Sequence, residues 1–295
     1  MPIYLSAVEG NRQKLDGGAM FGNAPRPMWE KWHRPDAIGR IELACRALLV
    51  EVGDQKILCE TGIGAFFEPK LAERFGVQDP ETHHLLLSLK KLGIEEKDIS
   101  AVILSHLHFD HAGGLLPAYA DLEAGNKDLL FPNAQYIVGQ EAWERNQHPH
   151  IRDRASFIPH LADKLIHSQR LLIIPSGASS AAQKLPTCIS FFYSFGHTPG
   201  HMHTLIRGQK ETALFCGDLI PGTTWLHAPL TMGYDRFPEH LIDEKLELYN
   251  KAIPEHWFLF YTHDPVYPAS YGRWDENKRV LADQALTSLI RMPLH

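Results

Sequence analysis

The feature that most constrains this chain is a dense run of potential metal ligands directly after a short, mainly apolar segment. Residues Ile99–Leu104 are typical of a buried strand, and His106, His108, Asp110 and His111 follow it at once. Their spacing spreads around a helix axis, so they do not form one helical face. On an extended backbone residues two apart point the same way, so His106 and His108 can hold one ion. Asp110 and His111 can then serve a second ion beside it.

Three later segments repeat the pattern of a ligand type placed after a strand-like run. The first is His197-Thr198-Pro199-Gly200-His201, in which His197 is the better ligand candidate and His201 can instead be an ordinary histidine that starts the next strand. The second is Gly217-Asp218, and the third is Thr262-His263. An aspartate can bridge two cations with its two oxygens, which a histidine cannot do. Together these segments predict a site for two metal ions.

Seven residues make up the predicted ligand set of the two metal ions. His106, His108 and His197 hold one ion and leave it an open position, as catalytic zinc sites do. The second ion takes Asp110, His111 and His263, and Asp218 bridges both. Nitrogen and oxygen ligands without sulfur suit two divalent ions, with Zn²⁺ expected first and Mn, Fe or Co compatible.

This ligand set predicts hydrolysis. Two neighbouring cations lower the pKa of a shared water from about 15.7 toward about 7, so that hydroxide is available at neutral pH. A metal also meets the charge that develops on a substrate carbonyl oxygen. Asp110 is the expected catalytic residue, because it can accept the proton of the attacking water and pass it to the leaving alkoxide.

Net charge, apolar segments and cysteine spacing indicate which partners and which location to expect. The chain has 295 residues and a net charge of −6, which argues against nucleic acid and favours a small-molecule substrate. No segment approaches the roughly 18 apolar residues of a membrane helix, and residues 1–9 lack a signal-peptide pattern, so we expect a cytoplasmic protein. The four cysteines form no Cys-x-x-Cys pair and are expected to be buried, reduced thiols.

The order of predicted elements favours an α/β protein with two mixed sheets and helices outside them, in one domain that covers residues 1–295. Residues 1–40 are rich in Gly, Pro and aromatic side chains and predict an irregular arm packed on the body. The other expected elements are a hairpin of strands 41–52 and 56–60, helices 81–92, 140–146, 238–251 and 277–291, and strands 134–138, 171–174, 188–193, 203–207, 213–216 and 257–261. In helix 238–251 the expected inner stripe is Leu241, Ile242, Leu246 and Tyr249.

At these motifs the sequence resembles the metallo-β-lactamase fold superfamily, whose His-x-His-x-Asp-His, His-Thr-Pro-Gly-His, Gly-Asp and final His follow in the same order. The resemblance implies a four-layer αββα sandwich with the metals at one edge between the sheets, and it assigns His197 as the ligand of the second motif. The segment 16–22 followed by Pro27-Met28-Trp29 is similar to the branch of N-acyl-homoserine lactonases, esterases and organophosphate hydrolases. That branch implies a small ester or lactone as substrate, with an N-acyl-homoserine lactone as one candidate. The arm is also a candidate surface for a homodimer.

The sequence departs from the family at two positions. Glu60 stands where the family usually has Asp, and Pro221 stands where homoserine lactonases often place a Tyr that polarises the carbonyl. Tyr234, Trp225 and His227 are the candidate substitutes. Specificity is expected from Phe21, Met28, Trp29 and Trp32 of the arm, from residues 146–170 and from residues 225–234, although Trp29 and Trp32 can equally be packing anchors.

Other functions remain open at this stage. The same ligands suit an aryl-ester or phosphotriester hydrolase. They also suit a di-iron redox protein, which would need an electron-donor domain for which there is no room after residue 265. A nucleic-acid-processing enzyme conflicts with the acidic balance. A non-catalytic metal-binding protein is the weakest interpretation, because all seven ligands are present.

Overall fold

The computed structural model describes residues 1–181 and 184–295. Its strands, numbered in chain order, are Ile3–Glu9 (β1), Gln13–Asp16 (β2), Arg40–Leu43 (β3), Arg46–Val52 (β4), Gln55–Cys59 (β5), Ala101–Leu104 (β6), Gln135–Gly139 (β7), Leu171–Ile174 (β8), Ile189–Ser194 (β9), His201–Arg207 (β10), Thr212–Phe215 (β11), Phe258–Phe260 (β12), Ala269–Trp274 (β13), Val280–Leu286 (β14) and Met292–Leu294 (β15).

The α-helices are mostly short. They are Gly17–Phe21 (α1), Arg26–Trp29 (α2), Pro69–Arg74 (α3), His84–Lys91 (α4), Phe109–Ala112 (α5), Tyr119–Glu123 (α6), Gln140–Gln147 (α7), Leu161–His167 (α8) and Pro238–Ala252 (α9). Short 3₁₀ turns lie at Glu96–Asp98, Gly113–Leu115, Arg154–Ser156, Gly217–Leu219 and Thr223–Leu226. Over the described residues, no helix is long and apolar enough to cross a membrane.

Two mixed sheets organise the described part of the chain. The larger has seven strands in the order β15-β1-β4-β5-β6-β7-β8, and the smaller has six in the order β14-β13-β12-β11-β10-β9. Strands β5 to β8 run parallel to one another, as do β11 and β12, while the other neighbours are antiparallel. A separate two-stranded ribbon pairs β2 with β3.

Strand β4 shows why the sheets stack in layers. Successive side chains point to opposite faces, so Leu48 and Val50 join the core between the two sheets, while Ala47 and Leu49 join the core beneath the helices α4, α7 and α8. A third core covers the outer face of the smaller sheet with α1, α2 and α9. The result is the expected αββα sandwich, with two mixed sheets inside and helices outside.

The N-terminal segment differs from the prediction. Residues 1–40 were expected to be an irregular arm, yet Ile3–Glu9 is a central strand that pairs with both β15 and β4. The predicted strand 41–52 is also divided, because its first part pairs with β2 and its second part lies in the large sheet. At the break between the two parts, the backbone N–H of Ala44 donates to His263 O at 3.2 Å, which links this position to a predicted metal ligand.

The prediction of a last helix at residues 277–291 is wrong. Residues Val280–Leu286 form β14, an edge strand antiparallel to β13. Asp275 sets the hairpin, because its Oδ1 accepts from the backbone N–H groups of Asn277 and Arg279. Sheet pairing therefore overrides the helical preference of the Leu-Ala-Asp-Gln-Ala-Leu run.

Helix α9 is confirmed, but its inner stripe is rotated from the expected one. Leu246 is 40% exposed, whereas Lys245 is fully buried. The Lys245 ammonium donates to the carbonyls of Trp225 and Leu230 at 2.9 and 2.7 Å, and Tyr249 Oη donates to Leu226 O at 2.9 Å. These bonds fasten the segment 217–237 to the helix.

Candidate metal centre

The predicted ligands come together at one edge of the sandwich because the strands that carry them end there. Strands β9, β11 and β12 run in the same direction, since β10 is antiparallel to both β9 and β11 and β12 is parallel to β11. His197, Asp218 and His263 follow these three strands, and the His106–His111 segment follows β6 of the other sheet. The site thus lies between the two sheets.

The first predicted ligand set is a compact group of imidazoles. His106 Nε2 and His108 Nδ1 are 3.0 Å apart, and one ring nitrogen from each of His106, His108 and His197 lies within 4.8 Å of the others. All three side chains are buried. The spacing matches two ligands of one zinc ion, which at bonds of about 2.0–2.1 Å and a tetrahedral angle are about 3.3 Å apart.

The second predicted set lies beside the first. Asp110, His111 and His263 each place a ligand atom within 4.8 Å of the other two, and the Nε2 atoms of His111 and His263 are 3.3 Å apart. Asp218 lies between the sets: its Oδ2 is 3.2 Å from His197 Nε2 and 3.3 Å from His111 Nε2, while its Oδ1 is 3.2 Å from His263 Nε2. All seven predicted side chains therefore converge.

Each of three histidines is oriented by an acceptor on its far nitrogen. His111 Nδ1 is 2.7 Å from Glu60 Oε2, His197 Nδ1 is 2.8 Å from Asp235 Oδ1, and His263 Nδ1 is 2.7 Å from Ala44 O. Because Nδ1–H donates in each case, the lone pair of Nε2 points to the centre, as is usual for histidine ligands of metals.

The donor set fits divalent cations. His197 Nε2 and Asp218 Oδ1 are buried and have no hydrogen-bond partner with good geometry among the residues that the structure describes. Lone pairs of several imidazoles and carboxylates face one another at 3.0–3.3 Å, which would be repulsive without a cation between them.

Burial and neighbouring charge perturb the histidines in opposite directions. Desolvation, reinforced by the surrounding histidines, lowers the pKa of His106 and His108 well below the usual value. Desolvation also acts against the charged form of His111, but the carboxylates of Glu60 and Asp218 outweigh it and raise the pKa of His111 well above the usual value. The surroundings of His106 and His108 are thus poor in negative charge, whereas those of His111 are rich in it.

Glu60, the departure from the family pattern, acts on both ligand sets. Its Oε2 pairs with His111, and its Oε1 accepts from the Ser105 hydroxyl, whose oxygen is 2.9 Å from His106 Nδ1. Glu60 is fully buried and has φ of +64°. Glu60 also places an oxygen within 4.8 Å of a ring nitrogen from each of His106 and His111. Both of its oxygens are engaged by side chains, an arrangement that favours orienting the ligands over binding an ion.

His201 has a supporting position. It is the first residue of β10, and its Nε2 accepts the backbone N–H of Asp218 at 3.3 Å. A Cβ at Gly217, which has φ of +49°, would lie 2.6 Å from that nitrogen. The close approach of Gly217 to His201 therefore helps to fix the position of Asp218 in the turn that follows β11.

A cavity of about 200 Å³ opens onto the site. Its floor includes five of the predicted ligands: His108, Asp110, His197, Asp218 and His263. Its apolar wall is made by Leu15, Met20, Leu43, Phe75, Phe109 and Met232. Its polar wall includes Arg152, Asp153, Ser156, Tyr234 and Arg236. The shape suits a small molecule with apolar and polar parts.

The aromatic residues expected to confer specificity mainly pack on one another. Phe21 stacks on Trp225 with ring centroids 4.8 Å apart and also contacts Trp29 and Trp32, and none of these rings lines the cavity. Met28 is half exposed. The arm instead contributes Leu15 and Met20, and residues 225–234 contribute Met232 and Tyr234. Residues 146–170 contribute Arg152, Asp153, Ala155 and Ser156.

Of the three candidates to replace the missing tyrosine, only Tyr234 lines this cavity. Trp225 is fully buried, with its Nε1–H bonded to Met20 O at 3.0 Å, and His227 lies outside the cavity. Burial, together with the charges of Asp110 and Asp16, raises the pKa of Tyr234 to about 12. Its hydroxyl is therefore protonated at neutral pH and can donate a hydrogen bond.

The sequence analysis missed three polar residues of the site. Asp235 orients His197, Gln13 donates from Nε2 to Asp110 Oδ2 at 2.9 Å, and Arg236 lies in the cavity wall. Gln13 and Asp110 are far apart in the chain, and Asp235 lies in an unremarkable turn. No local sequence pattern marks such contacts, because they arise from tertiary packing.

Comparison with known proteins agrees with this geometry. A model of the metallo-beta-lactamase superfamily matches residues 40–118. An N-acyl homoserine lactonase of Bacillus sp is 26% identical over 183 residues, which are 58% of this chain and 61% of that protein. A probable metallo-hydrolase of Mycobacterium tuberculosis is 25% identical over 72% of this chain and 66% of its own length. The chain thus spans about 60% of the length of the curated lactonase that it matches.

Solved structures match over almost the whole chain. A probable metal-dependent hydrolase from Staphylococcus aureus is 27% identical, covers 96% of this chain and 98% of its own, and has a TM-score of 0.82. A dizinc quorum-quenching lactonase in complex with a product has 21% identity, covers 96% and 95% of the two chains, and has a TM-score of 0.74. The fold is therefore shared along nearly the full length of these proteins.

Proposed function

On the premise that this chain is a metal-dependent hydrolase of the metallo-β-lactamase superfamily, we propose that it hydrolyses small carboxylic esters or lactones at a centre of two divalent ions. The observation that carries the proposal is the position of Asp218 between two ligand groups, 3.2–3.3 Å from His197, His111 and His263. A carboxylate in that position suits a bridge between two cations.

Two Zn²⁺ ions are the proposed cofactors, held by His106, His108, Asp110, His111, His197, Asp218 and His263. Bound there, the ions would lower the pKa of water toward about 7 and polarise a carbonyl oxygen. The dizinc lactonase with the same fold supports this choice of metal.

Asp110 is the proposed proton acceptor and donor. It lines the cavity, and Gln13 holds its Oδ2, so the carboxylate faces the substrate in a fixed orientation. In ester hydrolysis Asp110 takes a proton from the attacking water and gives it to the alkoxide that leaves. In a lactone the alkoxide stays attached to the product.

Tyr234 is the proposed donor to the carbonyl oxygen of the substrate. Its hydroxyl stays protonated because its pKa is raised to about 12. It lines the same cavity as five of the proposed metal ligands, although it lies 13 residues after Pro221, the position at which homoserine lactonases often have a tyrosine. A donor aimed at that oxygen stabilises the charge that develops in the tetrahedral state.

The substrate is proposed to be an ester or lactone, with an N-acyl-homoserine lactone as a candidate, because curated relatives are named N-acyl homoserine lactonases. An aryl-ester or phosphotriester hydrolase is the second candidate. AbOPH, a solved hydrolase of the beta lactamase superfamily, shares the fold at 18% identity and a TM-score of 0.70. A homodimer, a cytoplasmic location and the absence of a nucleic-acid or membrane partner stay predictions.

The test is a substrate panel. Purified protein, loaded with zinc and with metal content measured on the same sample, is assayed on N-acyl-homoserine lactones of several chain lengths, aryl esters and a phosphotriester. We expect about two metals per chain and turnover of a lactone or carboxylic ester. Turnover of the phosphotriester alone would favour the second candidate. Metal-replete protein that hydrolyses none of these compounds would contradict the proposal.

A further inference from the structure

The polar wall of the cavity has more cationic than anionic groups. Arg152 and Arg236 both line it, and neither forms an ion pair with a carboxylate among residues 1–181 and 184–295. Of the two nearby aspartates, Asp235 has both oxygens engaged, whereas Asp153 keeps Oδ1 buried without a hydrogen-bond partner among the described residues. Asp153 Oδ2 accepts two hydrogen bonds from Arg145, and Asp235 accepts from His197 and from the backbone N–H of Met232.

The two arginines are held by backbone carbonyls instead. Arg152 donates to Gly233 O at 2.9 Å, and Arg236 donates from Nε to Tyr234 O at 2.9 Å. Such bonds fix the direction of a guanidinium but do not neutralise its charge. Arg236 Nη1 is buried and has no hydrogen-bond partner in the described part of the chain.

The environment of Arg236 is unfavourable for a cation. Burial, and then the charge of Arg152, lower the pKa of Arg236, while Asp153 acts in the opposite sense. The guanidinium is also close enough to His108 for its charge to disfavour protonation of that imidazole. Asp153 and Asp235 offset part of this cost, but neither forms an ion pair with Arg236, so a bound anion would stabilise this half-buried cation further.

We propose that Arg236, assisted by Arg152 at the rim, binds an anionic group of the substrate, a carboxylate or a similar oxyanion that is separate from the bond to be cleaved. This inference deepens the proposed ester or lactone hydrolysis and rests on it. A guanidinium binds a carboxylate with two parallel hydrogen bonds, and the unpartnered Nη1 supplies a donor for that arrangement. The apolar residues that line the same cavity would contact the uncharged part of the molecule.

Matched substrates test this proposal on zinc-loaded protein. p-Nitrophenyl butyrate is compared with p-nitrophenyl hemisuccinate, in which the anion is on the acyl side, and phenyl acetate is compared with 4-acetoxybenzoate, in which it is on the alcohol side. We expect the native protein to prefer the anionic member of at least one pair. Arg236→Gln should lower kcat/KM for that anionic ester by about 10- to 100-fold and change the neutral ester by less than about 3-fold.

Two further variants distinguish an effect of the anion site from a general effect on the protein. Arg152→Gln, a change at an exposed rim residue, should give a smaller loss in the same direction, and it serves if Arg236→Gln does not fold. Arg154→Gln is the matched control, because Arg154 lies in the same loop but lines a different cavity. No preference for an anionic ester, or a preference that both variants retain, would overturn the proposal.

A binding measurement separates this inference from the proposed function. Calorimetric titration compares N-phenylsuccinamate with butyranilide, which are amide analogues of the first ester pair. We expect the anionic amide to bind more tightly, and Arg236→Gln to remove most of that difference. If the protein hydrolyses no ester but Arg236 still governs binding of the anion, the hydrolase proposal fails and the anion site stands. Equal binding of the two amides in native protein contradicts the anion site.

Discussion

Gln13 Nε2 donates a hydrogen bond of 2.9 Å to Asp110 Oδ2, across 97 residues of the chain. The bond joins the ribbon strand β2 to the metal loop that follows β6. Gln13 is fully buried, and its own Oε1 has no partner within the described residues, so its amide serves mainly to hold this carboxylate. The N-terminal segment is therefore part of the site and not only a cover for it.

Gln13→Ala should lower kcat about 10-fold with little change in KM, because Asp110 would lose the contact that fixes its carboxylate for proton transfer. Steady-state kinetics and metal analysis of the same sample check this. Gln55→Ala, at an exposed glutamine of β5, is the control and should behave as the native protein. A raised KM with unchanged kcat would instead assign Gln13 to substrate binding.

Asp218→Ala should cost more activity than His201→Ala. Asp218 contacts both ligand groups, whereas His201 accepts one hydrogen bond from the backbone of Asp218. We expect Asp218→Ala to lower kcat/KM by at least about 100-fold and to reduce the metal content, and His201→Ala to lose about 10-fold. Equal losses in metal-replete samples, or a larger loss for His201→Ala, would refute the bridging assignment.

Tyr234→Phe should reduce kcat about 10- to 100-fold, because removing one donor to a developing oxyanion costs on that order. The effect should appear in kcat and leave metal content and the melting temperature unchanged. Tyr271→Phe is a suitable control, since Tyr271 lies on β13, away from the cavity. If Tyr234→Phe retains full activity, the carbonyl is polarised without it.

Lys245 predicts a dependence of stability on pH. Burial lowers its pKa from 10.5 to about 8, so between these values the unfolded chain binds more protons than the folded one. The contribution of Lys245 to the free energy of unfolding is therefore lowest below about pH 8, and it rises as the pH increases from about 8 to 10.5. Relative to Lys245→Met, the native free energy of unfolding should gain roughly 3 kcal/mol over that range.

Urea unfolding at several pH values, followed by circular dichroism, measures this difference. Lys251→Met, on the exposed part of the same helix, corrects for the loss of one ordinary lysine and should show no such rise. A difference between native protein and Lys245→Met that stays constant with pH would show that Lys245 titrates alike in both states.

The convergence of the seven candidate ligands could be predicted from sequence because their residue types, and their placement after apolar strands, both carry information. His106 and Asp218 each follow a strand that could be identified locally, and the common edge then follows from sheet geometry. Residues 280–286 could not be assigned correctly, since their pairing with β13 is not encoded in their periodicity. Lys245 was missed because a buried ammonium depends on two carbonyls from a distant loop.

The attachment of residues 217–237 to helix α9 has a consequence for how the cavity can vary among related sequences. That segment carries Tyr234 and Arg236, whereas most ligand histidines come from other strand ends. Lys245 and Tyr249 bind its backbone carbonyls rather than its side chains, so the anchorage does not depend on which residues occupy it. Substitutions at Met232, Tyr234 and Arg236 can therefore change the cavity lining, whereas Asp218 and Asp235 of the same segment contact the ligand histidines and are not free to vary in this way.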